Sequence, residues 1–116
     1  LMYAECTNEA TGPDQSVHDA VNAVRARPTV NMPALPTGLS KEQMRQTIRD
    51  ERLFELGLEG LRYWDLLRWK TAETVIPKLV NPGGYPRKFD PAKQYLFPFP
   101  QSELDRNKKL KQNSGY

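Results

Sequence analysis

Glu51 to Lys70 reads ERLFELGLEGLRYWDLLRWK, with acids, arginines, large apolar residues and two tryptophans interleaved more densely than on an ordinary surface helix. On a wheel of 100° per residue, treated as continuous, Leu53, Leu56, Trp64 and Leu67 fall on one broad side. Met44, Ile48, Leu66 and Trp69 fall on nearly the opposite one. That pattern predicts a core element buried on both sides. Glu51, Glu55 and Glu59 stack at i,i+4, which costs roughly a few tenths of a kcal/mol per like-charge pair unless cations intervene. Arg52, three before Glu55, and Arg62, three after Glu59, are the local cations, and Arg25 and Arg27 could reach in from a neighbouring helix. Gly57 and Gly60 interrupt the run, each about 1 kcal/mol worse than Ala inside a helix. A break is therefore predicted there, giving two helices at an angle.

Outward from this stretch, Ser40-Lys41-Glu42-Gln43 is a capping box, in which the Ser hydroxyl and the Gln side chain satisfy each other's orphan amides. It launches the central helix. Pro28, Pro33 and Pro36 keep the preceding residues out of helix, with Met32 and Leu35 expected to tack that loop to the core. Earlier still, a helix to about residue 10 should stop at Gly12-Pro13. Asp14 or Ser16 should cap a second, to about Arg27, with Val17, Ala20, Val21 and Val24 on one face. A short loop between two helices makes them neighbours, so residues 1–27 predict a helical hairpin.

Beyond about Ala72, Ile76-Pro77 and Asn81-Pro82-Gly83-Gly84 are turn chemistry. Tyr85, Phe89, Tyr95, Phe97 and Phe99 then alternate with prolines. Pro98 and Pro100 exclude a central strand, so this stretch predicts an extended segment laid over helices with its rings as anchors. A short helical turn should start at Ser102. The fold class expected is all-α, a TPR-like helical hairpin and a bent core helix with an irregular Pro/aromatic-rich C-terminal segment.

The chain has 116 residues, enough for one domain or part of one, and carries a formal charge of +3. That excess belongs to the tail: residues 1–85 hold ten Lys/Arg against eleven acids, and residues 86–116 hold seven against three. The single Cys6 excludes an internal disulfide framework or a Cys-based zinc site. No run of about 18 apolar residues is present to span a membrane, and no charged-then-apolar leader opens the chain. The opening LMYAECTNEA begins at Leu1 and is helical in composition from its first residue, so the chain is expected to be truncated inside a helix.

Two runs carry a resemblance. Ile48 to Trp69, IRDERLFELGLEGLRYWDLLRW, and Tyr95 to Tyr116, YLFPFPQSELDRNKKLKQNSGY, are similar to the C-terminal part of the SusD/RagB family of outer-membrane nutrient-binding lipoproteins. Glu51, Arg52, Glu55, Leu56, Glu59, Gly60, Arg62, Asp65, Leu66, Arg68 and Trp69 match that family's first run. The second run matches from Tyr95 to Tyr116 with Phe99, Lys108 and Ser114 as departures. The opening residues and Val21 to Arg27 resemble its helical hairpin. The resemblance implies that residues 1–116 are the C-terminal portion of a SusD-like domain, truncated at its N-terminal side. It implies a surface protein that captures oligosaccharide or another nutrient and passes it to a SusC-like TonB-dependent transporter. Localisation would be the cell outer membrane, through an N-terminal lipid anchor that this chain does not contain, since Cys6 has no apolar leader before it.

Within these residues, Arg52, Glu55, Glu59, Arg62, Asp65 and Arg68 are expected to form a structural ion-pair network, because the guanidinium fork can bond two carboxylate oxygens at once. No catalytic residue is expected: nothing singles out one acid for glycosidase chemistry, and the lone His18 serves neither a nucleophile nor a Glu-x-x-His metal site. No metal, cofactor or nucleic-acid partner is expected. Trp64 and Trp69 are expected in the core, and Tyr85, in a Gly-Gly-Tyr-Pro loop, is the candidate ligand-binding ring. The second functional reading is a TPR-like helical protein-protein interaction module, residues 1–27 being one unit of an array. The ligand's identity is not written in the sequence.

Overall fold

The computed structural model describes all residues 1–116. Backbone order follows the local chemistry closely. α1 (Met2–Thr11) ends at Gly12, whose φ of 96° only glycine adopts readily and whose amide bonds to Asn8 O at 3.0 Å. α2 (Gln15–Arg25) is capped by Asp14, whose carboxylate accepts from Val17 N at 3.0 Å. α3 (Lys41–Glu55) carries the full capping box, with Ser40 Oγ accepting from Gln43 N and Gln43 Oε1 from Ser40 N. α4 (Arg62–Arg68), α5 (Ala72–Val75), a 3-10 turn (Ile76–Lys78) and α6 (Gln101–Arg106) complete the helices. The fold is all-α, and the one β-type pairing is an isolated antiparallel bridge between Val80 and Pro86. No helix is long and apolar enough to cross a membrane.

The chain forms two units, Leu1–Arg62 and Tyr63–Tyr116. In the first, α2 turns back onto α1 and α3 lies on the pair. Its core is Ala4, Val17, Val21, Met44 and Ile48, fringed by Leu1, Ala20, Leu35 and Leu39. Asn8 is also fully buried, and its side-chain amide donates to Lys41 O at 3.1 Å, tying the end of α1 to the start of α3. The Pro-rich loop is held mainly by hydrogen bonds: Met32 N to Arg25 O at 2.8 Å, Arg25 Nε to Pro33 O at 2.7 Å, and Leu35 N to Asn22 Oδ1 at 2.8 Å. Leu35 does pack on the core, whereas the Met32 side chain is exposed, contrary to expectation.

The predicted break falls where the glycines are. α3 stops at Glu55, Leu58 and Gly60 adopt left-handed backbone (φ 68° and 75°), and α4 begins at Arg62. The expectation that both sides of this stretch are buried is not met. α3 buries the stripe of Met44, Ile48 and Arg52, while Leu53 and Phe54 on the other side are exposed, Phe54 at 76 %. The reason is geometric: a helix resting on a two-helix hairpin has neighbours along one stripe only. Past the break the wheel loses its phase, and α4 buries Asp65, Leu66 and Leu67 while leaving Trp64 54 % exposed.

In the second unit, Leu66 and Leu67 pack with Ala72 and Ile76, and Val75, Phe89 and Tyr95 close over them. Phe89 and Tyr95 are thus anchors, but Tyr85 and Phe97 are exposed, so the extended segment inserts only part of its ring set. Its end is joined to the C-terminal turn by side chains in place of a sheet ladder. Gln112 bonds both Phe99 N (2.8 Å) and Phe99 O (3.0 Å), Asn113 Nδ2 donates to Phe97 O (2.6 Å), and Tyr116 Oη to Leu96 O (3.1 Å). Gly115 at φ 89° lets the closing turn approach Lys93, whose Cβ a side chain there would meet at 3.0 Å.

These burials set a contrast that urea titration can read. Ile48→Ala is expected to cost about 2–5 kcal/mol of unfolding free energy, and Phe54→Ala less than about 0.5 kcal/mol. Comparable losses for the two would contradict the one-sided packing of α3.

Candidate functional site

The charges flanking the buried stripe of α3 fall into two sets. On one flank Glu51 pairs with Arg25, and Glu55 with Arg27, both from the end of α2. On the other, Arg45 makes a two-pronged contact with Glu9 (Nε to Oε1 and Nη2 to Oε2, both 2.6 Å) and also meets Glu42, while Arg52 Nε lies 3.9 Å from Glu5. Arg25 and Glu51 are largely buried, with side chains 14 % and 12 % exposed. The predicted network residues are therefore placed as follows. Glu55 is held by Arg27, Arg52 reaches Glu5 on α1, Arg62 Nη1 approaches Arg49 O at 3.5 Å, and Arg68 Nε bonds Asp65 Oδ1 at 2.9 Å. Glu59 lies exposed in the turn after α3. Glu55 takes its arginine from the end of α2 in place of Arg52, while Arg68 and Asp65 keep a local i,i+3 pair; an arginine from the neighbouring helix can neutralise the acid and pack its stem at once.

Glu9 is held below its ordinary pKa of 4.5, chiefly by the Arg45 hydrogen bond, which outweighs the opposing effect of burial and is helped by the charges of Arg45, Lys41 and Arg49. Arg45 is pushed up in turn by the same bond. Asp14 is lowered by its bonds from Ser16 and the Val17 amide, as a helix cap should be. No group of three or more His, Cys, Asp or Glu side chains is placed to hold a metal ion. Cys6 is an exposed free thiol and His18 is half-buried.

The aromatic side chains tell a different story. Tyr85 sits at the tip of the turn closed by Asn81, whose Oδ1 accepts from Gly83 N (2.9 Å) and Tyr85 N (3.1 Å), and it is 71 % exposed. Tyr63, Trp64 and Phe97 form an exposed cluster that the wheel did not foresee. Trp64 and Phe97 are tilted at 38° with centroids 5.3 Å apart, and Tyr63 meets both edge-on at 6.0 and 6.4 Å. Beside it opens a cleft of about 480 Å³ lined by Trp64, Leu67, Arg68, Lys70, Tyr95 and Phe97, among others.

The sequence model of the SusD family matches residues 1–116, the whole chain. The chain belongs to the SusD family. It is 32 % identical over 123 aligned positions to SusD-like protein P2 of Formosa agariphila, covering all of this chain and 24 % of that protein. Among solved structures it superposes on a SusD homolog from Bacteroides thetaiotaomicron VPI-5482 with a TM-score of 0.79 at 32 % identity, over 99 % of this chain and 25 % of that one. A SusD-like carbohydrate binding protein from Bacteroides fragilis NCTC 9343 gives 0.77 at 35 % identity, over 94 % and 26 %. The chain thus spans about a quarter of the length of these SusD-like relatives.

Two measurements probe the paired charges. A double-mutant cycle on Arg25→Ala and Glu51→Ala should give a coupling of about 1–3 kcal/mol, against less than about 0.5 kcal/mol for the exposed Arg106 and Glu103 pair, 3.6 Å apart. The second is acid titration. Because the folded carboxyl of Glu9 lies below its ordinary value, its contribution is present above about pH 4.5 and lost as pH falls through the lowered value. Glu9→Gln should therefore flatten the acid limb of a stability-pH curve, and an unchanged limb would contradict the role of the Arg45 bond.

Proposed function

We propose that residues 1–116 are the C-terminal portion of a SusD-like protein that captures glycans or other nutrients at the outer membrane. In this reading the paired charges of Arg52, Glu55, Arg62, Asp65 and Arg68, with Glu59 beside them, are framework. The protein binds its ligand without transforming it. A SusC-like TonB-dependent transporter would receive the cargo, and a lipid anchor outside these residues would hold the protein at the surface. The observation that carries the proposal is the whole-chain likeness to the SusD family, supported by the superposition on a protein described as carbohydrate binding. Consistent with a framework role, the acids at Glu51 and Glu55 are each engaged by an arginine instead of facing one another across a cleft.

A second reading, a helical protein-interaction module, is favoured by one feature, the exposed apolar side chains Met2, Tyr3 and Phe54 on α1 and α3. Calorimetry separates the two. Titration of neutral and acidic hexasaccharides onto a SusD-like protein of full family length carrying this sequence is expected to give saturable heat with at least one sugar, and no release of reducing ends. Absence of heat with every sugar, combined with retention of a peptide partner, would favour the module instead. Sugar cleavage that disappears in Glu55→Gln would replace both with an enzyme.

A further inference from the structure

We infer that the cleft beside Trp64 is a binding site for an acidic pyranose, a sugar ring bearing a carboxylate or sulfate group, with Trp64 and Phe97 as its stacking floor and Lys70 as its cationic rim. The inference rests on the glycan-binding reading above and gives it a location and a ligand class.

Three observations converge on it. The first is shape and lining: an open cleft of about 480 Å³ walled by rings and aliphatic carbons falls in the size range of small-ligand sites. Trp64 and Phe97, each 54 % exposed and tilted at 38° to one another, present aromatic surface to solvent, the kind of surface on which the C–H face of a pyranose can lie. The second is Lys70. α4 ends in a Schellman turn, with Lys70 N bonding Leu67 O (3.1 Å) and Thr71 N bonding Leu66 O (3.0 Å). Lys70 occupies the left-handed position of that turn at φ 55°, where glycine is the usual residue. A side chain at that position is conformationally disfavoured. It places the ammonium 4.2 Å from the Tyr95 ring centroid at the cleft wall, paired with a ring rather than with a carboxylate. A non-glycine residue held in a glycine position is the kind of outlier from which a functional role can be argued.

The third observation is charge. Residues 63–116 carry ten Lys/Arg against five Asp/Glu, a formal +5, whereas residues 1–62 carry seven against nine. Asp65, next to Trp64, is buried and bonded by Arg68, whose guanidinium also covers the Trp69 ring at 4.8 Å; Glu73, three residues past Lys70, is exposed but is not one of the residues that line the cleft. An anionic ligand therefore enters a positive field without meeting an exposed carboxylate among the lining residues. A neutral sugar would use the rings but leave Lys70 without a role.

The test uses residues 1–116 with hexagalacturonate, a sulfated hexasaccharide and neutral maltohexaose as probes, followed by tryptophan fluorescence and by calorimetry. At least one acidic sugar should quench saturably and bind more tightly than maltohexaose, with affinity that falls as salt rises; which of the two binds distinguishes carboxylate from sulfate. Lys70→Gly removes the charge while suiting the left-handed turn, so it should keep or raise the melting temperature and weaken acidic-sugar binding about tenfold or more. Trp64→Ala and Phe97→Ala should weaken it by a similar factor in calorimetry. Equal affinity for neutral and acidic sugars, an acidic-sugar affinity unchanged in Lys70→Gly, or no binding of either acidic sugar each overturns the site. If the family-length protein binds sugar and these three variants leave that binding intact, the location fails while glycan capture stands; if it binds no sugar at all, the functional reading itself fails.

Discussion

The seating of α3 against the α1–α2 hairpin governs residues 1–62. Met44 and Ile48 supply the apolar contact, but an apolar stripe alone would tolerate sliding by a turn or reversal. The flanking charges remove that freedom. Arg45 and Arg52, seven residues apart, point to Glu9 and Glu5 on α1, so α3 must run opposite to α1. Glu51 and Glu55, four apart, meet Arg25 and Arg27 at the end of α2, so α3 must reach there in its last turns. A one-turn slip would oppose like charges or strand a half-buried carboxylate, and removing one partner of such a pair is costly. Charge pattern here specifies register more than it adds stability.

A comparable substitution of one chemistry for another organises the tail. Pro98 and Pro100 lack the N–H groups that a strand ladder needs, so the segment from Leu96 to Phe99 cannot be paired by backbone alone. Gln112, Asn113 and Tyr116 provide donors and an acceptor from side chains, and one of them, Gln112, mimics both halves of a backbone pair on Phe99. The two ends of the family-like run from Tyr95 to Tyr116 are thus one hydrogen-bonded element, in which the Gln112 and Asn113 side chains take the place of a strand partner for the proline-flanked segment.

Helix ends were legible because they depend on neighbours in sequence: Gly12, Asp14, the Ser40 capping box and the break at Gly57 to Gly60 all act within four residues. Fold class followed from the same signals. Side-chain burial beyond the break was not legible, since the wheel assumes a continuous phase that the left-handed residues Leu58 and Gly60 destroy. Trp64 was misplaced for that reason, and with it the aromatic cluster that lines the cleft. Ion-pair partners were half legible. Spacing pointed to Glu51, Arg52 and Glu55 on α3, with Arg25 and Arg27 as candidates, but it missed Arg45, and Glu5 and Glu9 became partners only through the packing of α1 on α3. Lys70 carried no signal at all, because nothing in the sequence marks it as the left-handed residue of a helix cap.

The contrast between the two units bears on what each is for. In residues 1–62 the charged residues on α3 are consumed by their neighbours, and the surplus of acids over bases is two. In residues 63–116 the surplus is five of the opposite sign, and Lys70 and Lys93 lie against rings, those of Tyr95 and Tyr116. Cations set against aromatic faces keep their field directed outward, since a ring quadrupole attracts a cation without neutralising it. A carboxylate partner would hold the same side chain more firmly but would neutralise its charge. A surface that must attract and then release an anion needs that charge: the ring orients the ammonium, and the charge remains available to a ligand that arrives from solvent.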